Sequence, residues 1–297
     1  MVRPMPGVLL VVNPQASGVT EAAAESVAAA LGSDVEVART ERRGHAVELV
    51  RDADARAVVV FGGDGAFNEA LNGLRADLPI GLVPGGGSSV LPRALGLPGD
   101  PEGAARRIAD ALRVGRMAEV SLGRVNGRRF GFSAALGFPA EVVRRVDDLG
   151  RERYGRRPPD RIFLKTAAKL LWERRGRLPA ELDVNGHGRT AFALVANGDP
   201  YTYLGRLPVR PTPQARWEAG LDLVAPRAVG PLAIPRLVGA ALTGRTPKAR
   251  GVLYLHDVDA IVLRADRPLP LQVDGEDLGD VERADFSSEP KAAKILR

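Results

Sequence analysis

Short apolar runs alternate with amphipathic segments through the first 118 residues. The runs are rich in β-branched residues, which is typical of buried strands, and they cover Val8–Val12, Val35–Ala38, Val58–Phe61 and Pro79–Pro84. Helices are predicted over Glu21–Leu31, Gly44–Arg51, Phe67–Leu74, Leu91–Leu95 and Pro101–Val114. Because alternating strands and helices form parallel βαβ units, we predict a doubly wound α/β domain over residues 1–118.

The pattern changes near Glu119 to short alternating or β-branched runs. Turn pairs such as Asn185-Gly186 and Asp274-Gly275 separate several of these runs. Two helices are predicted to interrupt them, over Ile162–Glu173 and Ile234–Thr243. We therefore predict a mostly β sandwich domain over residues 119–288, while residues 289–297 either form a tail or return to the first domain.

Three polar or glycine-rich turns follow predicted strands of the first domain, at Asn13–Gly18, Gly62–Gly65 and Gly85–Ser89. The carboxyl ends of parallel strands meet at one edge of a sheet, so these turns are expected to converge. Free N–H groups at a helix N-terminus favour phosphate. Asp64 would be repelled by phosphate unless it held a metal ion or a proton. The pattern indicates phosphate chemistry, and the alternative is an ordinary turn between a strand and a helix.

Composition excludes several kinds of site. The sequence has no cysteine, which rules out disulfides, zinc–thiolate sites and a cysteine nucleophile, and only 3 histidines. Neither a Walker GxxxxGK[ST] motif nor the protein-kinase HRD and DFG motifs occur. No signal peptide and no apolar run of spanning length is present, so we expect a cytoplasmic protein.

Positive charge is concentrated in one segment. The formal net charge of the chain is +6, whereas residues 151–177 alone carry ten Lys or Arg and three Asp or Glu, a local net charge of +7. The helix predicted there is basic and amphipathic and ends at Trp172, which suits contact with an anionic membrane. The alternative is a core-packed helix with a solvated face. Nucleic acid is not expected, because no stripe of interleaved aromatic residues accompanies the charge. The candidate membrane contacts are Arg156, Arg157, Arg161, Lys165 and Lys169.

Five segments resemble, in order, motifs of the diacylglycerol kinase catalytic family, which includes bacterial diacylglycerol kinases and sphingosine kinases. They are VVNPQASG at Val11–Gly18, FGGDGAFNEALNGL at Phe61–Leu74, VPGGGSSVLPRALGLPGDP at Val83–Pro101, the segment Ala196–Val224, and VDGE at Val273–Glu276. The resemblance implies an NAD kinase-like nucleotide-binding domain followed by a β-sandwich. It also implies transfer of the γ-phosphate of ATP, with Mg²⁺, to a lipid hydroxyl, with diacylglycerol as the leading acceptor and phosphatidic acid as the product.

The resemblance also implies roles for individual residues. Asp64 would manage Mg²⁺ or the catalytic proton, and Glu276 would be the general base, although an Asp-Gly-Glu segment is also an ordinary hairpin turn. The implied ATP-binding residues are Asn13, Thr40, Gly62, Gly63, Asp64, Gly65, Ala66, Asn68, Glu69, Gly85, Gly86, Gly87 and Ser88.

Four positions depart from the family pattern. Ala66 and Gly87 stand where the family has threonine, Ser89 where it has asparagine, and Ala219 where some bacterial members have an aspartate tied to a structural Mg²⁺. These departures keep three alternatives open: a sphingoid acceptor, a soluble acceptor such as that of the NAD kinases, and a non-catalytic nucleotide- or lipid-binding homologue. A homodimer is also left open.

Overall fold

The chain forms two structural units in the computed structural model, which describes residues 7–87, 89–149, 160–205 and 207–297. One unit is Met1–Ser121 together with Lys291–Arg297, and the other is Leu122–Pro290. Three of the predicted site residues, Ser88, Arg156 and Arg157, lie outside the described residues.

A parallel sheet forms the centre of the first unit. Its strands are β1 (Val8–Val12), β2 (Val35–Arg39), β3 (Ala57–Gly62) and β4 (Ile80–Pro84), in the order β4-β3-β1-β2. Every residue of β1, β3 and β4 is buried, as expected for parallel strands that are covered on both faces. Ile295 pairs in parallel with Ile80, so the end of the chain adds to the same sheet.

Five helices accompany this sheet, namely α1 (Glu21–Leu31), α2 (His45–Arg51), α3 (Asp64–Gly73), α4 (Val90–Ala94) and α5 (Pro101–Val114). Thr20 and Asp100 cap α1 and α5 by accepting backbone N–H groups, as their residue types predict. Helix α3 begins three residues before its predicted start, at Asp64 rather than Phe67. The glycine on either side of Asp64 suggested a longer turn, but burial of the helix outweighs the low helix propensity of Gly65.

The second unit is rich in antiparallel strands. Its central strands run in the order β14-β13-β10-β7-β15, and their apolar side chains meet in a core that includes Leu136, Val195, Leu223 and Leu271. The strands from Met117 onward are β5 (Met117–Val125), β6 (Arg128–Phe130), β7 (Ser133–Leu136), β8 (Leu182–Val184), β9 (Gly188–Thr190), β10 (Ala193–Ala196), β11 (Thr202–Leu204), β12 (Leu207–Val209), β13 (Leu221–Pro226), β14 (Val252–Val258), β15 (Ala260–Val273) and β16 (Glu276–Leu296). The prediction of an α/β domain followed by a strand-rich domain is confirmed.

Three α-helices lie in the part of the second unit that the structure describes: α6 (Phe138–Leu149), α7 (Asp160–Glu173) and α8 (Ala233–Thr243). The prediction of only two helices there is wrong, because α6 was missed. Its buried side chains, including Val142, Val143 and Val146, are spaced for one helical face, but charged residues separate them and weakened the signal. No described helix combines the length and apolar character that crossing a bilayer requires.

Candidate functional site

Three loops of the first unit meet at the carboxyl ends of β1, β3 and β4. The backbone N–H of Asn13 donates to the Phe61 carbonyl at 2.9 Å, and that of Gly85 donates to the Gly62 carbonyl at 2.7 Å. The N–H of Gly18 donates to the Gly85 carbonyl at 2.8 Å. The turns that the sequence analysis expected to converge are therefore joined by direct backbone hydrogen bonds.

Two glycines allow the second and third loops to touch. A Cβ atom added to Gly86 would lie 2.8 Å from the Cα of Gly63, closer than side chains approach in proteins. The next residue differs, since a Cβ added to Gly87 would meet no atom within 4 Å. Contact between the loops thus requires glycine at position 86, whereas position 87 is open.

The carboxylate of Asp64 is buried and caps helix α4. Its Oδ2 accepts the N–H of Val90 at 3.1 Å, and its Oδ1 accepts that of Leu91 at 3.2 Å. These are the N–H groups that the first turn of a helix leaves without helical partners. Asp64 therefore joins the glycine loop after β3 to the helix that follows the glycine loop after β4.

The second acidic residue of α3 braces another helix. Glu69 is buried, and its two carboxylate oxygens accept the N–H groups of Gly44 at 2.8 Å and Ala46 at 3.3 Å, at the start of α2. Helix α3 thus carries two carboxylates that cap two different helices. This bracing was not foreseen from the sequence, which gave both residues a place around the ATP phosphates.

The remaining predicted ATP-binding residues of the first unit lie in the same loops or beside them. Asn13 shapes the first turn, because its Oδ1 accepts the N–H of Gln15 at 3.0 Å and lies 3.4 Å from the Thr40 hydroxyl, which donates to it. Gly65, Ala66 and Asn68 lie in the first turns of α3, where Ala66 and Asn68 are buried.

In the second unit, Asp274 organises the loop between β6 and β7. Its carboxylate accepts the N–H groups of Gly131 at 2.7 Å and of Phe132 and Ser133 at 3.0 Å each. The carbonyl of Gly131 accepts bonds from the Asn197 amide at 3.0 Å and the Trp217 indole at 3.1 Å. The Asp-Gly-Glu and Ala-Asn-Gly motifs therefore hold one loop between them. The sequence analysis quoted both motifs but gave Asp274 no role.

Glu276, the candidate base, begins strand β16 directly after the turn at Asp274. Its side chain is partly exposed, and its Oε2 lies 3.5 Å from a guanidinium nitrogen of Arg128. The bidentate pair of Arg144 with Asp277, at 2.9 and 3.0 Å, holds the next residue of the strand against α6. Glu276 therefore stands on a firmly anchored hairpin beside a cation.

Protein groups surround Asp222, near the position where Ala219 departs from the family pattern. Its carboxylate accepts the Tyr254 hydroxyl at 2.6 Å and the Asp257 N–H at 3.1 Å, and it lies 2.8 Å from the His256 ring. The pKa of Tyr254 is raised well above its ordinary value of 10.0. The larger cause is burial, and the next is the hydrogen bond to Asp222. Among the described residues, no group of three or more His, Cys, Asp or Glu could hold a metal ion.

Helix α7 displays two neighbouring exposed stripes. The basic stripe consists of three exposed residues spaced four apart, Arg161, Lys165 and Lys169. The apolar stripe has the same spacing and is also exposed, and it consists of Leu164, Ala168 and Trp172. Thr166 and Leu170 are buried. The helix thus packs through one face and presents a basic and an apolar stripe on the other.

Part of the chain matches one family of known proteins. Residues 7–125 match the diacylglycerol kinase catalytic domain. Diacylglycerol kinase from Mycobacterium tuberculosis is 38% identical over 109 residues, 33% of this chain and 34% of that protein. Sphingoid long-chain bases kinase 1 from Arabidopsis thaliana is 32% identical over 103 residues, 29% of this chain and 14% of that protein. The matches span from 14% to 42% of the curated relatives' own lengths.

Solved structures share the fold over the full chain. A diacylglycerol kinase from Bacillus anthracis matches with a TM-score of 0.69 and 18% identity, covering 99% of this chain and 98% of that one. An NAD kinase from Archaeoglobus fulgidus, solved in complex with ATP, matches with a TM-score of 0.54 and 14% identity. The match covers 98% of this chain and 93% of that one. The predicted NAD kinase-like fold is confirmed.

Proposed function

We propose that this chain, whose residues 7–125 match the diacylglycerol kinase catalytic domain, transfers the γ-phosphate of ATP to the hydroxyl of diacylglycerol, forming phosphatidic acid. The observation that carries the proposal is the junction of the three loops after β1, β3 and β4. Two of these loops are glycine-rich and approach closely enough to exclude side chains at Gly86. Such loops present backbone N–H groups to phosphate.

Asp64 is the residue that would hold Mg²⁺. Its two oxygens accept the N–H groups of Val90 and Leu91, and an ionised carboxylate is an oxygen ligand of the kind that binds Mg²⁺. Mg²⁺ in kinase sites is bound mainly by phosphates and water, with one or two carboxylates, so the donor set fits. Mg²⁺, when bound, neutralises charge on the phosphates. The caps on Val90 and Leu91 would keep the carboxylate in place during the reaction.

Glu276 is the proposed general base for the lipid hydroxyl. The hydroxyl oxygen forms a bond to the γ-phosphorus as its proton passes to the Glu276 carboxylate, and the bond from the γ-phosphorus to the bridging oxygen breaks to release ADP. A guanidinium nitrogen of Arg128 lies 3.5 Å from this carboxylate. Asp274 acts as a positioning residue, because it anchors the turn from which Glu276 projects.

We further propose a peripheral location at the inner face of the cytoplasmic membrane. The support is the exposed stripe of Arg161, Lys165 and Lys169 on α7, since each basic residue near an anionic membrane contributes about 1 kcal/mol of attraction. A kinase whose acceptor is a membrane lipid needs such a contact to reach it.

The test is phosphate transfer from radiolabelled ATP to diacylglycerol in mixed micelles. Asp64→Asn and Glu276→Gln should each lower kcat at least a hundredfold, because general-base catalysis alone typically contributes between 10² and 10⁴. Glu282→Gln, an exposed residue of the same strand as Glu276, is the matched control and should keep full activity. Absence of transfer to diacylglycerol and every other lipid, in protein that binds ATP, would contradict the proposal. Transfer that survives Glu276→Gln would remove that residue as base.

A sphingoid base is the second candidate acceptor, because one relative of the catalytic region is a sphingoid long-chain bases kinase. Parallel assays with diacylglycerol and sphingosine separate the two by their kcat/KM values. Equal turnover with a water-soluble acceptor would instead favour NAD kinase-like chemistry. ATP binding without transfer would favour a non-catalytic protein, as the missing hydroxyl at Ala66 allows.

A further inference from the structure

Helix α8 is apolar, yet the structure buries none of its residues. One side of it packs inward, because Ile234 and Leu237 contact the small cluster that contains Leu178 and Val229. A second row of apolar side chains, three residues apart, begins at Leu232, whose backbone is already helical, and continues at Pro235 and at Val238, which lies one turn beyond Ile234. We call these three residues the α8 face. Leu232 is 93% exposed and Val238 is 54% exposed.

A second exposed apolar side chain lies at the adjoining helix end. Trp172, near the end of α7, is 86% exposed. The turn that ends α7 abuts the start of α8, because a Cβ added to Gly176 would lie 3.1 Å from Pro231. Backbone hydrogen bonds between Leu178 and Val229, at 3.0 and 3.4 Å, fix the two segments to each other. Trp172 and the α8 face therefore project from neighbouring helix ends of one unit.

The segment that contains α8 carries charge of a single sign. Residues 226–250 contain five basic residues and no Asp or Glu, and the five are Arg227, Arg236, Arg245, Lys248 and Arg250. All five are exposed. Exposed apolar side chains rimmed by cations are typical of surfaces that enter the headgroup region of an anionic bilayer.

We propose that the α8 face and Trp172 form a second membrane-docking surface, which inserts into an anionic lipid bilayer. It differs from the basic stripe of α7 in its chemistry. The stripe attracts anionic headgroups by charge, whereas the α8 face and Trp172 would also insert apolar side chains into the bilayer. The proposal deepens the proposed function, on which its purpose rests, but the binding itself requires no ATP. A lipid kinase docked in this way is held at the surface that contains its acceptor.

The positive charge near the α8 face favours an anionic bilayer, rather than a second copy of the chain, as its partner. A symmetric dimer through the α8 face would bring the same surface of two chains together, and with it the cations of residues 226–250 from both copies. Like charges at such a contact repel, whereas anionic headgroups neutralise them.

The experiment is vesicle flotation without nucleotide, using vesicles of phosphatidylcholine and phosphatidylglycerol in equal parts. We compare the wild type with the double variant Leu232→Ser/Val238→Ser. Both positions are more than half exposed, so the variant should fold, and its thermal unfolding is checked against the wild type. Its partition onto vesicles should fall at least tenfold. The matched control is Val114→Ser, an exposed apolar position of the first unit, which should bind like the wild type.

Tryptophan emission provides an independent measurement. In a Trp172→Phe background, where Trp217 is the remaining native tryptophan, the emission added by Leu232→Trp should shift to shorter wavelength on vesicles and be quenched by brominated lipid. Unchanged flotation of the double variant, or an emission that does not respond to vesicles, would overturn the proposal. So would a double variant that loses self-association in sedimentation while still floating.

A separate assay distinguishes this inference from the kinase proposal. Phosphate transfer to a short-chain, water-soluble diacylglycerol is measured without vesicles. If the wild type shows no transfer but the double variant loses flotation, the docking surface stands and the kinase proposal fails. If the wild type transfers phosphate normally and the double variant floats like the wild type, the kinase proposal stands and the docking surface fails.

Discussion

At the scale of single residues, two adjacent glycines make a matched pair. A methyl group at Gly86 would lie 2.8 Å from the Cα of Gly63, whereas one at Gly87 would meet nothing within 4 Å. We expect Gly86→Ala to raise the KM for ATP at least about tenfold, since small displacements of positioning groups have large kinetic effects. Gly87→Ala should leave KM within about twofold, because added bulk there meets open space. Steady-state kinetics at varied ATP provide the check, and equal KM values for both variants would mean that the loop contact does not shape the ATP site.

Tyr254 provides a residue-scale prediction about pH. Burial and the bond to Asp222 raise its pKa in the folded protein above the ordinary value of 10.0. Above about pH 10 the unfolded chain loses this proton while the folded chain keeps it, so the folded state binds more protons. The stability that Tyr254 contributes is therefore full below pH 10 and declines as pH rises further.

The check is chemical denaturation of the wild type and Tyr254→Phe at pH 8 and pH 11. The difference in the free energy of unfolding between the two proteins should shrink at the higher pH. Val114→Ser, an exposed position that removes no titratable group, serves as the control, with a difference from the wild type that stays constant. A gap that stays constant between the two pH values would show that Tyr254 ionises as readily in the folded chain as in the unfolded one.

At the scale of elements, α3 stabilises its neighbours through side chains rather than through its own backbone. Removing the Glu69 carboxylate leaves the N–H groups of Gly44 and Ala46 without their acceptor. Loss of a helix cap costs about 0.5–2 kcal/mol, and burial adds to that. Glu69→Ala should therefore lower the free energy of unfolding by roughly 1–3 kcal/mol in urea titrations. Glu25→Ala, an exposed position on α1, should change it by less than about 0.5 kcal/mol. A Glu69→Ala protein as stable as the control would show that water replaces the cap.

The sequence predicted those elements whose signals are local. Helices α1 and α5 have the predicted bounds, because Thr20 and Asp100 cap them and their apolar faces are regular. Helix α6 was missed because its buried valines are interleaved with arginine and aspartate. The start of α3 was misplaced because a glycine next to an aspartate looks the same in a turn as in a first helical turn. Tertiary packing decides such cases, and a single sequence does not display it.

In the candidate site, too, the features that depend on tertiary packing could not be predicted from the sequence. Converging glycine loops follow from strand order, and the sequence analysis expected them. The partners of Asp64, Glu69 and Asp274 are backbone N–H groups from segments between 23 and 143 residues away. Backbone donors have no residue type that a motif could reveal, so Asp64 and Glu69 resembled carboxylates that act only on a ligand, and Asp274 was assigned no role.

At the scale of the whole molecule, the distribution of charge matters more than its sum. Residues 151–177 carry +7 and residues 226–250 carry +5, so the rest of the chain sums to −6 although the total is +6. We expect an anionic membrane to attract the chain through these positive segments. Two cations lost from α7 should therefore weaken binding to anionic vesicles, while two cations lost elsewhere should not.

The last prediction compares Lys165→Gln/Lys169→Gln with Arg107→Gln/Arg113→Gln, two exposed arginines of α5 in the first unit. Both variants have the same net charge. At about 1 kcal/mol for each cation near the bilayer, the α7 variant should bind anionic vesicles roughly thirtyfold more weakly. The α5 variant should bind like the wild type. Raising the salt from about 0.1 M to 1 M shortens the Debye length from about 10 Å to 3 Å, and should bring the wild type close to the α7 variant. Equal weakening by the two variants would mean that net charge, and not an oriented surface, governs membrane binding.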